Sequence, residues 1–437
     1  MKKLLLIAVV IMGLVMMNPG NAMAEDVVEL TYWHAMSGIT QDHIEDQVER
    51  FNELYDDIEV SVEYQGSYRD VLDTTQAALR AGNPPHVIQS FEISTRQLID
   101  MGAFIPLEET LEGVDWDQYL DPVTQYYNVE GVLYSMPYNS SNPILYYNKD
   151  LFEEAGLDPE QPPETFQELT EYSEQIVESG AAEHGWVMPL HSWFFEQWMA
   201  NMGSVFANNE NGRLERPTSL DLDQAAEDIL GWWDAEYQAD NYVNPGVEAW
   251  GESRSIFAGQ RAAIAIDSTA AIAPKTASAE EQGFELGTGY LPIHEDYDRH
   301  GTTIGGGSLW VIDGHTPEET EAAGEFVRFL SSPEEQVDWH KTTGYFPVHE
   351  EAVEMLEEEG YYEDNPNHAT AINQLRETEN IPATQGAMIG PFPEIRTQIT
   401  DAAQYVFGGE KSVAEALQDA EAESETIMER YRRVVVD

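Results

Sequence analysis

Aromatic and small polar side chains are concentrated in a few short segments of this sequence, and together they have the chemistry of a site for a polyhydroxylated ligand. The stretch from Trp186 to Trp198 holds three tryptophans and two phenylalanines. Aromatic rings stack on the CH faces of sugars and polyols, whose hydroxyl groups pair with carboxylates and amides. Core packing is the commoner role of such rings, and we expect it for Phe195, Trp232 and Trp233.

Signatures of catalysis are absent from the sequence. It contains no HExxH, no GxSxG, no P-loop and no dinucleotide fingerprint, and its 11 histidines lack metal-ligand spacing. Among 81 carboxylates, pairs suited to glycoside hydrolysis arise by chance. We therefore expect no enzyme, no metal and no cofactor, and a secreted hydrolase of glycosides or phosphodiesters stays open only as an alternative.

The first part of the chain predicts β-α-β units that would position such a site. Residues 27–33 are apolar and β-branched, and Thr40 is placed to cap a helix with apolar residues at 44, 48, 51 and 54. Apolar and polar residues then alternate over 58–64, a helix covers 71–81, and a strand covers 86–91. This alternation predicts a parallel sheet, whose ligands bind at the carboxyl ends of the strands. Those ends are at Trp33-His34, Gly66-Ser67-Tyr68 and Glu92.

The middle of the chain predicts a crossing into a second lobe. The polar stretch 139–143 follows a short strand and precedes an apolar strand at 144–148. Later, a buried strand at 264–266 ends at Asp267-Ser268. The triplet 305–307, all glycine, precedes a strand at 308–312. Glycines there allow either a bend or a close approach of backbone N–H groups to a ligand.

Composition restricts the partners. The formal net charge is −60, from 81 acidic and 21 basic residues, so nucleic acid and anionic membranes are unexpected partners. The acidity is spread along the chain, which favours a solvated surface adapted to high salt. At molar salt the Debye length falls to ~3 Å and screens the repulsion among those charges. The absence of cysteine excludes disulfides, thiolate metal sites and a lipid-modified cysteine.

The N-terminus predicts a secretory signal peptide over residues 1–24. Lys2 and Lys3 precede an apolar run from Leu4 to Met17, and a small-x-small motif allows cleavage after Ala24. A retained anchor is the alternative. The remaining chain is too long for one core and implies two lobes.

Short sequence motifs along nearly the whole chain resemble those of the periplasmic glycerol-3-phosphate-binding proteins of bacterial ABC importers. The more specific ones are Gly66-Ser67-Tyr68, Asn139-Ser140-Ser141-Asn142-Pro143, Gly305-Gly306-Gly307-Ser308-Leu309-Trp310 and Phe392-Pro393-Glu394-Ile395-Arg396. Tyr146-Tyr147-Asn148-Lys149-Asp150 is shared with many saccharide-binding relatives. A saccharide-binding protein of the same superfamily therefore stays open as an alternative.

The resemblance implies an α/β fold of two lobes with a hinge and a ligand cleft between them. The first lobe would take residues 25–138 and 306–344, and the second residues 139–305 and 345–437. The ligand contacts that it implies are Tyr68, Glu92, Ser141, Trp193, Ser268, Gly306, Tyr345 and Arg396. The resemblance implies that Arg396 binds a phosphate through two parallel hydrogen bonds and that neutral donors surround this phosphate. Glu92 would accept hydrogen bonds from the glycerol hydroxyls.

One position departs from the family pattern. The family has two cleft tryptophans three residues apart, and here Trp193 matches the second whereas Leu190 falls on the first. A lost aromatic wall would enlarge the cleft and favour glycerophosphodiesters such as glycerophosphocholine, whose quaternary ammonium binds aromatic faces. Trp186 or Trp198 is the alternative source of the second ring. The implied protein is a periplasmic monomer that delivers a phosphate ester to transmembrane permease subunits.

Overall fold

A computed structural model describes residues 27–111 and 113–435. The predicted signal peptide and its cleavage site lie outside these residues. Within them, the strands are β1 (Val28–His34), β2 (Ile58–Tyr64), β3 (Val87–Phe91), β4 (Phe104–Ile105), β5 (Asn128–Val129), β6 (Val132–Leu133), β7 (Met136–Ser141), β8 (Pro143–Asn148), β9 (His184–Val187), β10 (Tyr242–Val243), β11 (Ala262–Ser268), β12 (Leu286–Gly289) and β13 (Gly305–Ile312).

The helices surround two sheets. They are α1 (Ile39–Leu54), α2 (Tyr68–Ala81), α3 (Thr95–Met101), α4 (Leu107–Thr110), α5 (Asp121–Tyr127), α6 (Lys149–Ala155), α7 (Phe166–Ser179), α8 (Ser192–Asn201), α9 (Asn208–Gly212), α10 (Gln224–Gln238), α11 (Trp250–Ala258), α12 (Ile272–Gln282), α13 (Pro317–Leu330), α14 (Pro333–Thr343), α15 (Glu350–Glu358), α16 (Tyr361–Asp364), α17 (Pro366–Arg376), α18 (Phe392–Phe407) and α19 (Val413–Val435). Short 3₁₀ turns follow β3 and β11 directly.

The first sheet has the order β2-β1-β3-β13-β4, and β7 also pairs with β13. Strands β1, β2 and β3 are parallel, as the alternating pattern predicts, but β13 is antiparallel to each of its neighbours. The predicted parallel pairing of the first three strands is confirmed, but the complete sheet is mixed. The reason is that β13 returns from far along the chain, and its glycine-rich start carried no signal of direction.

The second sheet has the order β10-β9-β11-β8-β12 and is also mixed. The chain passes from β7 in the first sheet to β8 in the second through Asn142 alone. The predicted crossing at 139–143 is thus a point where the chain changes sheets.

Local capping follows the sequence with small differences. Helix α2 begins at a capping box between Ser67 and Asp70, and a second box joins Ser412 to Glu415 before α19. Helix α1 begins after Gly38 rather than at Thr40, whose hydroxyl donates to the Ser37 carbonyl instead. The predicted cap at Thr40 was therefore wrong by two residues.

Apolar side chains pack on both faces of each sheet. The largest cluster joins β8, β9 and β11 to α8, α10, α18 and α19, and a second joins β1, β13 and α1 to the segment 346–375. The predicted lobe boundaries, which divide the chain at 344, stay a prediction. Among the described helices, none combines the length and apolarity that crossing a bilayer requires.

Candidate functional site

A cleft with an empty volume of about 1540 Å³, open to solvent, lies where the two sheets meet. Eight of the nine residues singled out from the sequence line it, and Leu190 does not. These eight are Tyr68, Glu92, Ser141, Trp193, Ser268, Gly306, Tyr345 and Arg396. They come from both sheets and from helices α2, α8 and α18, so the fold gathers residues that are up to 328 positions apart in the chain.

A hydrogen-bonded chain holds Tyr68 in place at the first residue of α2. Its hydroxyl accepts from Asn139 Nδ2 at 2.6 Å, and Asn139 Oδ1 in turn accepts from Gln89 Nε2 at 2.8 Å. The ring of Tyr68 stacks on Phe91 with centroids 5.4 Å apart. Burial raises the pKa of Tyr68 well above its usual value, so the hydroxyl stays protonated and is a donor for a ligand.

Gly306 brings the backbone of β13 against β7. Its φ is +97°, and a Cβ there would lie 1.9 Å from the Asn139 carbonyl oxygen. Ser141, the last residue of β7, pairs with Gly305 next to it. The glycine is therefore required by a close approach of two backbones at the cleft wall.

A buried ion-pair cluster closes one end of the cleft. Arg396, in the first turns of α18, donates from Nε and Nη2 to the two carboxylate oxygens of Glu196, each at 2.8 Å. The same Nη2 donates to Glu92 Oε1 at 2.8 Å. Burial raises the pKa of Glu92, and the Arg396 guanidinium partly offsets this. Arg396 thus already pairs with two carboxylates, which the sequence did not indicate.

A second charged cluster also borders the cleft, where Arg254 and Ser268 line it. Arg254 donates from Nε and Nη2 to the two carboxylate oxygens of Asp267 at 3.0 and 3.2 Å, and the Lys275 ammonium is 3.3 Å from the same carboxylate. Burial raises the pKa of Asp267, but Arg254 and Lys275 outweigh burial and hold this pKa below its usual range. Ser268 follows Asp267, and its hydroxyl caps the 3₁₀ turn by accepting from Ala270 N at 3.2 Å.

The aromatic wall consists of Trp193 and Trp250, whose ring centroids are 6.2 Å apart. His191 caps α8 beneath them and accepts from Trp193 N at 2.9 Å. Burial lowers the pKa of His191 to about 3, so this ring is neutral. The pair of rings gives the stacking surface that the sequence predicted, with one of its members supplied by α11.

Leu190 was wrongly predicted to stand in the cleft in place of a tryptophan. It is 1 % exposed in the core of the second sheet. Its backbone forms a β-bridge with Val247. Trp250 follows Val247 by three residues and lines the cleft. The two alternatives, Trp186 and Trp198, are also fully buried in the core.

Sequence reasoning missed several cleft residues, among them Trp250, Arg254 and Arg69, and it included one segment that does not line the cleft. Trp250 and Arg254 face the cleft from one side of α11, four residues apart, and Arg69 donates across it to the Pro393 carbonyl at 3.0 Å. The i, i+4 spacing of an aromatic and a cation was the only signal for the first two. His34, at the end of β1, is buried and does not line the cleft.

Comparison with known proteins identifies relatives over almost the full length. A family model described as bacterial extracellular solute-binding protein matches residues 46–370. The sn-glycerol-3-phosphate-binding periplasmic protein UgpB of Escherichia coli K12 is 31 % identical, covering 97 % of this chain and 96 % of that one. UgpB of Salmonella typhimurium LT2 is also 31 % identical, with 95 % of each chain covered.

Two solved structures show the same fold. UgpB from Mycobacterium tuberculosis in complex with glycerophosphocholine has a TM-score of 0.77 at 22 % identity, covering 92 % of this chain and 99 % of that one. Maltose-bound MalE3 of T. maritima has a TM-score of 0.78 at 19 % identity, covering 92 % and 100 %. At these identities the likeness establishes the two-sheet architecture around a cleft.

Proposed function

The chain belongs to the bacterial extracellular solute-binding proteins, and we propose that it captures glycerol-3-phosphate and glycerophosphodiesters such as glycerophosphocholine for an ABC importer. The family and the relatives are solute-binding proteins, so the chain binds its ligand rather than converting it. The permease subunits that receive the ligand are separate chains.

The observation that carries the proposal is the convergence in one cleft of the eight residues that the family resemblance implies, two of which, Tyr68 and Glu92, the strand ends also indicate. Donors for a phosphate come from the Tyr68, Ser268 and Tyr345 hydroxyls and from guanidinium groups. Carboxylate oxygens of Glu92 accept hydrogen bonds from ligand hydroxyls, and the Trp193–Trp250 wall covers the carbon skeleton. This combination suits a small polyol that carries an anionic group.

The mechanism is capture by closure. Residues from the first sheet (Tyr68, Glu92) and residues packed on the second (Trp193, Arg254) face each other across open solvent, and a ligand that contacts both sets favours the closed arrangement. The narrow crossing at Asn142 is a natural pivot because so little chain joins β7 to β8 there. The closed form then docks on the permease.

Three further features belong to this proposal. The lobes take residues 25–138 with 306–344, and 139–305 with 345–437. Cleavage after Ala24 releases a periplasmic protein, and this protein is a monomer. Mass spectrometry of the exported protein tests the cleavage site, and light scattering of the purified chain tests the monomer. Comparison of ligand-free and ligand-bound crystal structures tests the lobe boundaries, because each lobe should move as a rigid unit.

A thermal-shift panel tests the ligand class. A ligand that binds only the folded state raises the free energy of unfolding by about 2.7 kcal/mol at one hundred times its Kd. We expect glycerol-3-phosphate and glycerophosphocholine to raise the melting temperature and maltose to leave it unchanged. A shift with maltose alone would favour the saccharide-binding alternative, and turnover of a glycerophosphodiester would favour the hydrolase.

A further inference from the structure

The charged side chains around the cleft are divided between two walls of opposite character. The charged residues that line it are Arg69, Glu92, Glu248, Arg254, Arg396 and Asp401. Arg69 and Glu248 are exposed, and Asp401 and Arg254 are half-buried, with 39 % of the Arg254 side chain exposed, so solvent weakens their fields. The buried charges behind the walls therefore decide where an anion binds.

The wall that contains Arg396 has an excess of negative charge. Arg396 is the one buried cation there, and it faces the carboxylates of Glu92 and Glu196. Ser192 donates its hydroxyl to Glu196 and adds no charge. A phosphate placed on Arg396 would approach both carboxylates, and this like-charge repulsion opposes its binding.

The wall that contains Arg254 has an excess of positive charge. Arg254 and Lys275 share the single carboxylate of Asp267. Lys275 is 4 % exposed, and this burial lowers the pKa of its ammonium, whereas the Asp267 carboxylate raises it. The ammonium also lies over the rings of Tyr146 and Phe257 at 5.0 and 4.7 Å, contacts that favour the charged form. No hydrogen bond of the Lys275 ammonium is found among the described residues. With Lys275 protonated, the two cations carry one positive charge more than the Asp267 carboxylate neutralises.

The geometry of Arg254 suits recognition of an anion from the cleft. Asp267 holds its Nε and Nη2, and this fixes the plane of the guanidinium. Within residues 27–111 and 113–435, Nη1 makes no hydrogen bond, and the side chain lines the cleft between Trp250 and Ser268. A fixed guanidinium with free N–H groups binds two oxygens of a phosphate at little entropic cost.

We propose that Arg254, positioned by Asp267 and supported by Lys275, binds the anionic group of the ligand and that Glu92 and Arg396 bind its hydroxyls at the other charged cluster. This rests on the proposed function and deepens it by fixing the ligand's orientation. It replaces the expectation that Arg396 forks onto the phosphate. The hydroxyl of Ser268 is the neutral donor beside Arg254.

The test is titration calorimetry with glycerol-3-phosphate on Arg254→Gln, Arg254→Lys and a matched control. Arg261→Gln is that control, because Arg261 lies just before β11 and pairs with the exposed Glu183 outside the cleft. We expect Arg254→Gln to bind at least about 30-fold more weakly, Arg254→Lys to bind with intermediate affinity, and Arg261→Gln to match the wild type. Equal affinity of the wild type and Arg254→Gln would overturn the assignment.

A second readout separates direct contact from a structural role. The second pKa of a phosphate monoester is about 6, and a cation in contact lowers it. In ³¹P spectra of the bound ligand, we expect this pKa to be depressed in the wild type, to rise in the neutral Arg254→Gln, and to stay depressed in Arg254→Lys and Arg396→Gln. A rise in Arg396→Gln alone would place the phosphate at the other cluster and refute the proposal. If Arg254→Gln fails to fold, the loss of affinity expected in Arg254→Lys tests the proposal instead, and equal affinity of Arg254→Lys and the wild type would refute it.

The two proposals fail in different ways. If the wild type binds neither glycerol-3-phosphate nor glycerophosphocholine, the proposed function is wrong and the orientation is wrong with it. If the wild type binds and the Arg254 variants bind equally well, only the orientation is wrong.

Discussion

Arg396 on α18 and Glu92 at the end of β3 are joined by a 2.8 Å hydrogen bond between elements that pack on different sheets. Glu196 takes the other side of the same guanidinium. The three side chains therefore form a buried contact across the molecule.

Arg396→Gln should strongly destabilise the fold. It leaves two neighbouring buried carboxylates unpaired, a loss of about 3–5 kcal/mol in the free energy of unfolding. Chemical denaturation at pH 7.5 measures it, and Arg430→Gln, which breaks only the exposed pair with Glu394, should stay within about 0.5 kcal/mol of the wild type. Equal stability of Arg396→Gln and the wild type would mean that the cluster contributes nothing.

Gly306→Ala should abolish tight ligand binding. The added Cβ would collide with the Asn139 carbonyl, so β13 and β7 must separate at the cleft wall. Gly314→Ala is the matched control, because Gly314 has nearly the same φ of +98° but nothing within 4 Å of the added carbon. Calorimetry should show a loss of affinity only for the first variant, and a loss in both would implicate backbone strain instead of the collision.

Leu190→Trp should destabilise the protein without improving the cleft. The larger ring must enter a filled core, which costs about 1–3 kcal/mol. A change of preference between monoester and diester in Leu190→Trp would show that this residue shapes the cleft after all.

Trp250→Ala should instead weaken ligand binding with little effect on stability, since Trp250 is partly exposed in the cleft.

The protein should lose stability as the pH falls below about 6.5. Burial lowers the pKa of His34 and His368 to about 4 and of His191 and His340 to about 3. Between pH 6.5 and these values the unfolded chain binds more protons than the folded one, so each histidine removes about 1.4 kcal/mol per pH unit. Stability present above pH 6.5 is thus lost on acidification.

Denaturation midpoints at pH 7.5, 6.5 and 5.5 measure this loss. Burial raises the pKa of the Glu92 and Glu236 carboxyls and so acts in the opposite direction. Ordinary carboxyls titrate near pH 4, so we expect the histidines to dominate above pH 5. A midpoint that is constant between pH 7.5 and 5.5 would contradict this account.

The melting temperature should rise with salt. About 62 net negative charges remain once Lys2 and Lys3 are removed, and molar salt screens their repulsion. Scans in dilute buffer and in 0.1–3 M KCl measure the effect. A melting temperature that does not change across this range would refute the interpretation of the acidic surface as an adaptation to salt.

Two residues of the site could be predicted from local patterns, six more were implied by the family resemblance, and the remainder depends on contacts between distant segments. Tyr68 and Glu92 were found because parallel strands end at one edge of a sheet. Trp250 reaches the cleft through the bridge between Leu190 and Val247, which are 57 residues apart. The pairing of Arg396 with Glu196 could not be predicted from local patterns, because Glu196 lies 200 residues earlier in the chain.

Titration calorimetry of the wild-type protein with glycerol-3-phosphate, glycerophosphocholine and maltose tests the central claim most directly. The account predicts saturable binding of one phosphate ester per chain, no heat with maltose, and competition between the two esters for one site. Binding of maltose with no response to either ester would contradict it.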